Sequence, residues 1–167
     1  ENILEGGRFL EVAQMLKAAG ANFLSDRGSG ADFWEVKAFE LVRSCLVYCA
    51  AVKDYFTMSD LYTALVQARE KDTIAKALRT AFKEGSFSNE AKFNVGAAIE
   101  YFEGEYLLLD ERVRTSILAT ATSFIGQFQE FQAHEIFCPA RNDRTLLSMD
   151  DVVDQGKILL FDINHAS

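Results

Sequence analysis

Along most of the chain, apolar residues return every three to four positions, the spacing that predicts amphipathic helices rather than strands. Phe9, Val12, Ala13, Leu16 and Ala19-Gly20 mark a first helix ending around Phe23-Leu24, before the loop Ser25 to Gly30. Asp32 can cap a second helix, whose apolar positions are Phe33, Trp34, Ala38, Leu41, Val42, Cys45, Leu46 and Cys49. From Leu41 to Val52 that pattern is apolar on nearly all sides, which predicts a central helix surrounded by others. Thr57-Met58-Ser59-Asp60 places a hydroxyl cap three residues before an acid, a helix-start signature. The third helix then carries Leu61, Tyr62, Leu65 and Val66. A fourth spans roughly Lys71 to Lys83, with Ile74, Ala75, Leu78 and Phe82 on one face, and stops at Gly85. Ser88 opens a fifth, with Phe93, Ala97, Ile99 and Phe102 inward. Asp110 caps the sixth and longest, running to about Ala133 with Val113, Ile117, Ala121, Phe124, Ile125, Phe128 and Phe131.

After Pro139, the single proline, the pattern changes. Arg141 to Arg144 is polar, Leu146-Leu147 has the form of a short extended piece, and Ser148 to Asp151 starts a helical turn that ends at Gly156. Lys157 to Ile163 is then a short apolar run with the length of a buried strand. The expected fold is all-α, a six-helix, bundle-like domain over residues 1–138, followed by a short strand-bearing tail over 139–167. Glu1 at the first position and a stop just past an apolar run lead us to expect a piece of a larger protein.

Composition narrows the functional classes. The 167 residues carry 17 Lys and Arg against 25 Asp and Glu, a net charge of −8. Such a balance argues against a general binder of phosphate backbones, whose affinity comes from clustered cations. No apolar run reaches the roughly 18 residues of a membrane span, and no signal-peptide pattern opens the chain. Three cysteines fit a reducing compartment better than a disulfide framework. These features predict a soluble, cytoplasmic domain.

Candidate chemistry is sparse. Cys45 and Cys49 share a helix face, but no third ligand lies beside them, so they are read as small core hydrophobes. His134 and Cys138 are also four apart, without a second pair to complete a metal site. Glu100 and Glu103 can share a face, as a carboxylate-pair mechanism requires, although solvated faces of acidic proteins produce the same spacing. Ile158-Leu159-Leu160-Phe161-Asp162 has the form of a magnesium-holding strand of P-loop ATPases, but also of an ordinary strand ending in a capping Asp. No Gly-x-x-x-x-Gly-Lys-Ser/Thr loop occurs in the sequence, so the chain is expected to bind no nucleotide and to be no enzyme by itself. Arg112 and Arg114 open the sixth helix, and Arg141 and Arg144 flank the post-proline loop. Those four arginines are the candidate contacts with a phosphate or a carboxylate-bearing partner, the alternative being scattered surface arginines.

Three stretches, in order, resemble the coupling-protein ATPases of type IV secretion and bacterial conjugation. The first is Asp32-Phe33-Trp34-Glu35 leading into Ala38 to Arg43 and Leu46-Val47-Tyr48, followed by Tyr55-Phe56-Thr57-Met58-Ser59-Asp60-Leu61. The second is Glu111 to Thr120, similar to that family's long helix before the chain returns to its ATPase core. The third, Leu147 to Leu160, looks like the segment that re-enters the core sheet. In that family an all-helical domain is inserted into a RecA-like motor, between the phosphate-binding loop and the magnesium-binding strand. The resemblance implies that residues 1–138 are the insertion and 139–167 the partial return into the motor, with Asp162 structural. It further implies a full-length homohexamer, anchored in the bacterial inner membrane, that uses ATP and magnesium to drive DNA or protein through a secretion channel. The helical domain would lie in the cytoplasm and contact relaxosome or secreted protein substrates, and single-stranded DNA only weakly. The alternative is a stand-alone helical protein-interaction adaptor without any ATPase.

Overall fold

The computed structural model describes residues 31–70, 72–131, 134–135, 138 and 140. They form an all-α, bundle-like fold of five helices joined by short turns: α1 (Ala31–Val52), α2 (Met58–Gln67), α3 (Thr73–Glu84), α4 (Asn89–Gly104) and α5 (Glu111–Ile125). Single 3₁₀ turns follow α4 at Tyr106–Leu108 and α5 at Gly126–Gln129. The helix expected over Phe9 to Leu24, and the strand and tail expected beyond Pro139, lie outside the described residues.

The near-continuous apolar character of α1 is explained by its position, since it packs against α2, α3, α4 and α5. Ala38, Leu41, Val42, Cys45, Leu46 and Cys49 are all closed to solvent. Around them sit Met58, Leu61 and Leu65 from α2, Ile74 and Leu78 from α3, Phe102 from α4 and Ile117, Phe124 and Ile125 from α5, in one core. Each such side chain removes enough apolar surface from water to contribute roughly 1.5–3 kcal/mol.

Helix ends follow local chemistry. The Thr57 backbone N–H donates to Asp60 Oδ2 at 2.8 Å, and the Thr57 hydroxyl donates to the same oxygen at 3.1 Å, so the signature read at Thr57 to Asp60 is used. Ser88 Oγ accepts from the Ala91 N–H at 3.2 Å, and Asp110 Oδ1 from the Arg112 N–H at 2.9 Å. Asp72 precedes α3 with φ 68°, a left-handed conformation that aspartate tolerates better than most residues. At Gly85, which ends α3, a Cβ would lie 2.6 Å from the Ala81 carbonyl oxygen and 2.4 Å from the Phe87 ring. Only glycine fits there without a shift.

Several packing expectations are corrected. Phe93, expected inward, is 74% exposed. The buried stripe of α4 is Val95, Ala98 and Phe102, and Phe93 lies two residues before Val95, about 200° around the helix. Val66 is exposed because it lies off the buried Leu61, Ala64, Leu65 and Ala68 stripe, and Phe82 in the last turn of α3 is exposed as well. Trp34 is half-buried in the first turn of α1, packed on the core and edge-on to Phe33 at 5.1 Å between ring centroids. The sixth expected helix is interrupted after Ile125, and helical geometry returns at Phe131, His134 and Glu135. Gly126, a poor helix former, opens the 3₁₀ turn that brings Phe128 against the core and is followed by an exposed Phe131.

Candidate functional site

Among the described residues, no group of three or more His, Cys, Asp or Glu is placed to hold a metal ion. Cys45 and Cys49 are core residues. Burial pushes the Cys45 thiol well up and the Cys49 thiol up to about 12, so both stay neutral and unreactive. Glu103 of the spaced acid pair is held by a two-pronged bridge from the Arg79 guanidinium of α3, while Glu100 is exposed. A carboxylate tied in this way is a strut between helices and not a free base.

The acid-rich stretch from Glu100 to Glu111 is therefore partly neutralised. Lys37 of α1 binds Glu40 on its own helix at 2.9 Å and reaches Glu105 just past the end of α4. The hydrogen bonds to Glu105 and then Glu40 raise the Lys37 ammonium above its ordinary range. Glu100 and Glu111 make no ion pair among the described residues and are exposed, and Asp110 spends one oxygen on its cap. They are the part of the stretch left to face a partner.

Of the four arginines, Arg112 and Arg114 fall in the first turns of α5 two positions apart, so they point to different sides. Arg112 is exposed. Arg114 turns into a hollow of about 30 Å³ against Tyr106, Arg69, Glu111 and Leu118. Its Nη1 is closed off from solvent without a hydrogen-bond partner among the described residues. Tyr106 beside it is buried, which pushes its hydroxyl up to about 12 despite the opposing pull of Arg114. Arg141 and Arg144 lie outside the described residues. The outer face of α5 offers little else that is polar and free. Thr115, Ser116, Thr120, Thr122 and Ser123 donate their hydroxyls to carbonyls one turn back, at 2.7–3.0 Å for the shortest bond of each.

Two features went unread in the sequence. One is the end of the bundle where α1 begins and α4 finishes. Phe33 and Val36 lie within a turn of Lys37, and Leu108 three residues past Glu105, all with exposed side chains. Large apolar groups are exposed together at this end of the bundle. The second is a polar cleft between α1 and α4, lined by Arg43, Ser44, Asn94 and Tyr101. Neither has a linear signal, because each is made by residues some 50 to 70 positions apart.

Comparison of the chain with protein-family models, with curated proteins and with solved structures finds no match. No described helix is long and apolar enough to cross a membrane.

Proposed function

We propose that the chain is the substrate- or relaxosome-recruiting helical domain of a type IV coupling protein, acting as a protein-contact surface in DNA or protein transfer. The observation that carries this reading is the order of the three family-like stretches. The first occupies α1 and the turn into α2, the second occupies α5, and these helices pack on one another. The third, Leu147 to Leu160, lies outside the described residues. An all-α fold is what an inserted helical domain requires, and the exposed unpaired Glu100 and Glu111, with the net charge of −8, favour a basic protein partner over DNA.

In this reading the domain performs no chemistry. ATP and magnesium belong to the motor of the full-length homohexamer at the membrane, and the phosphate-binding loop is expected upstream of Glu1 in the gene product. A gene product without that loop would leave the stand-alone adaptor. Stopped-flow association with a basic relaxosome or cargo protein tests the contact role. Reversing Glu100 and Glu111 to lysine should slow association about tenfold at low salt, with the difference fading as salt rises. An association rate indifferent to both salt and charge reversal would remove the acidic surface from the recognition step.

A further inference from the structure

The α1–α4 seam opens into a cleft of about 150 Å³. The two helices run antiparallel there, with Lys37 reaching Glu105 at one end and Val47 facing Asn94 at the other. The hydrogen-bonding valences of the cleft are unevenly filled. Its two carboxylates, Glu40 and Glu105, are both engaged by Lys37. Its donors are not. Arg43 makes no ion pair among the described residues. The Tyr101 hydroxyl is shut off from solvent with no partner among them. Burial holds the Tyr101 hydroxyl far above its usual range, which keeps it a donor at any ordinary pH.

Two further properties define the occupant. A strip of Val47, Ala97 and Ala98 lines the same cleft and favours carbon. Glu40 and Glu105 are each tied to Lys37, so Arg43 is the one lining charge left without a counter-ion among the described residues, and a single anionic group answers it. A carboxylate takes both prongs of a guanidinium and keeps lone pairs for the Asn94 amide and the Ser44 hydroxyl. A cavity of about this volume accommodates a six-membered ring.

From these juxtaposed features we infer that the α1–α4 cleft binds a small monocarboxylate with a compact apolar body, its carboxylate on Arg43 and its carbon on Val47 and Ala97. This binding site goes beyond the recruiting role proposed above and does not depend on it.

Nuclear magnetic resonance titration of the 167-residue chain with benzoate tests the site, with benzamide, benzylamine and inorganic phosphate as parallel probes. Benzoate should give saturable shifts at residues 43–47 and 94–101, with an affinity on the order of millimolar, as expected for so few atoms. Arg43→Met, which keeps the aliphatic stem, should weaken binding about tenfold or more. Asn94→Ala, on the opposite wall, gives an independent loss if the Arg43 variant fails to fold, as its amide spectrum would reveal. Absence of saturable shifts with benzoate up to about 20 mM would overturn the inference, since weaker binding leaves no specific site to speak of. So would benzamide, benzylamine or phosphate binding as well as benzoate, or benzoate affinity unchanged in both the Arg43 and Asn94 variants.

Discussion

The two sides of α1 solve the same packing problem differently. On one side the helix presents Leu41, Cys45 and Leu46 to the closed core that also holds Leu61, Leu65 and Ile117. Toward α4 it presents Lys37, Glu40, Arg43 and Ser44 to a seam tied by ion pairs and opened by a cleft. A dry interface is held by area and fit, so it resists change and binds nothing. A seam with unspent donors is less stabilising, and it is where a ligand or partner has something to gain. Close packing and unspent hydrogen-bonding capacity are thus separated around one helix.

Truncating the dry side should have the largest effect. Leu46→Ala, at a fully buried position, should cost about 2–5 kcal/mol in urea unfolding. Phe93→Ala removes a larger side chain from an exposed position and should move stability by no more than about 0.5 kcal/mol. Equal losses at the two sites would mean that Phe93 is covered. Next in size is the α2 cap. Asp60→Ala removes the acceptor of the Thr57 N–H and the partner of Lys53, and should cost about 0.5–2 kcal/mol.

Asp60 also supplies a pH signature. Burial alone would raise its carboxyl, but Lys53 at 2.5 Å and the Thr57 N–H outweigh burial and hold it below its ordinary value. A carboxyl depressed in the folded state stabilises fully above its unfolded pKa of about 4 and loses that contribution as pH falls through the folded value. Urea midpoints between about pH 5 and 2 should therefore fall less steeply in Asp60→Asn than in the parent. Identical slopes would detach the carboxylate from the cap. A small effect is expected on the seam. Lys37→Met should change stability by under about 1 kcal/mol, because its pairs are partly exposed and screened by salt.

The contrast between the two sides was only half visible in the linear pattern. The starts at Thr57, Ser88 and Asp110 and the stop at Gly85 are local signals, satisfied within four residues of the cap, and the structure uses each of them. The dry side of α1 was legible as well, because continuous apolar character over Leu41 to Val52 has no use except burial from several directions. Phe93 and Phe131 were misjudged because hydrophobicity does not say which of several apolar residues on a helix meets a neighbour. The cleft and the Arg79–Glu103 strut could not be read, since they depend on how helices far apart in sequence come to lie side by side. Among the four arginines, sequence proximity suggested a patch at Arg112 and Arg114, while the helical angle between adjacent turns sends one outward and the other against Tyr106.

A recruiting surface that prefers protein to nucleic acid is the central claim, and fluorescence anisotropy with labelled single-stranded oligonucleotides addresses it most directly. At about 150 mM salt, repulsion from a body of net charge −8 and the small number of phosphates it can neutralise should leave no binding below about 10 µM. Submicromolar binding that disappears when Arg112, Arg114, Arg141 and Arg144 are reversed to glutamate would contradict it, and would make this a DNA-contacting domain.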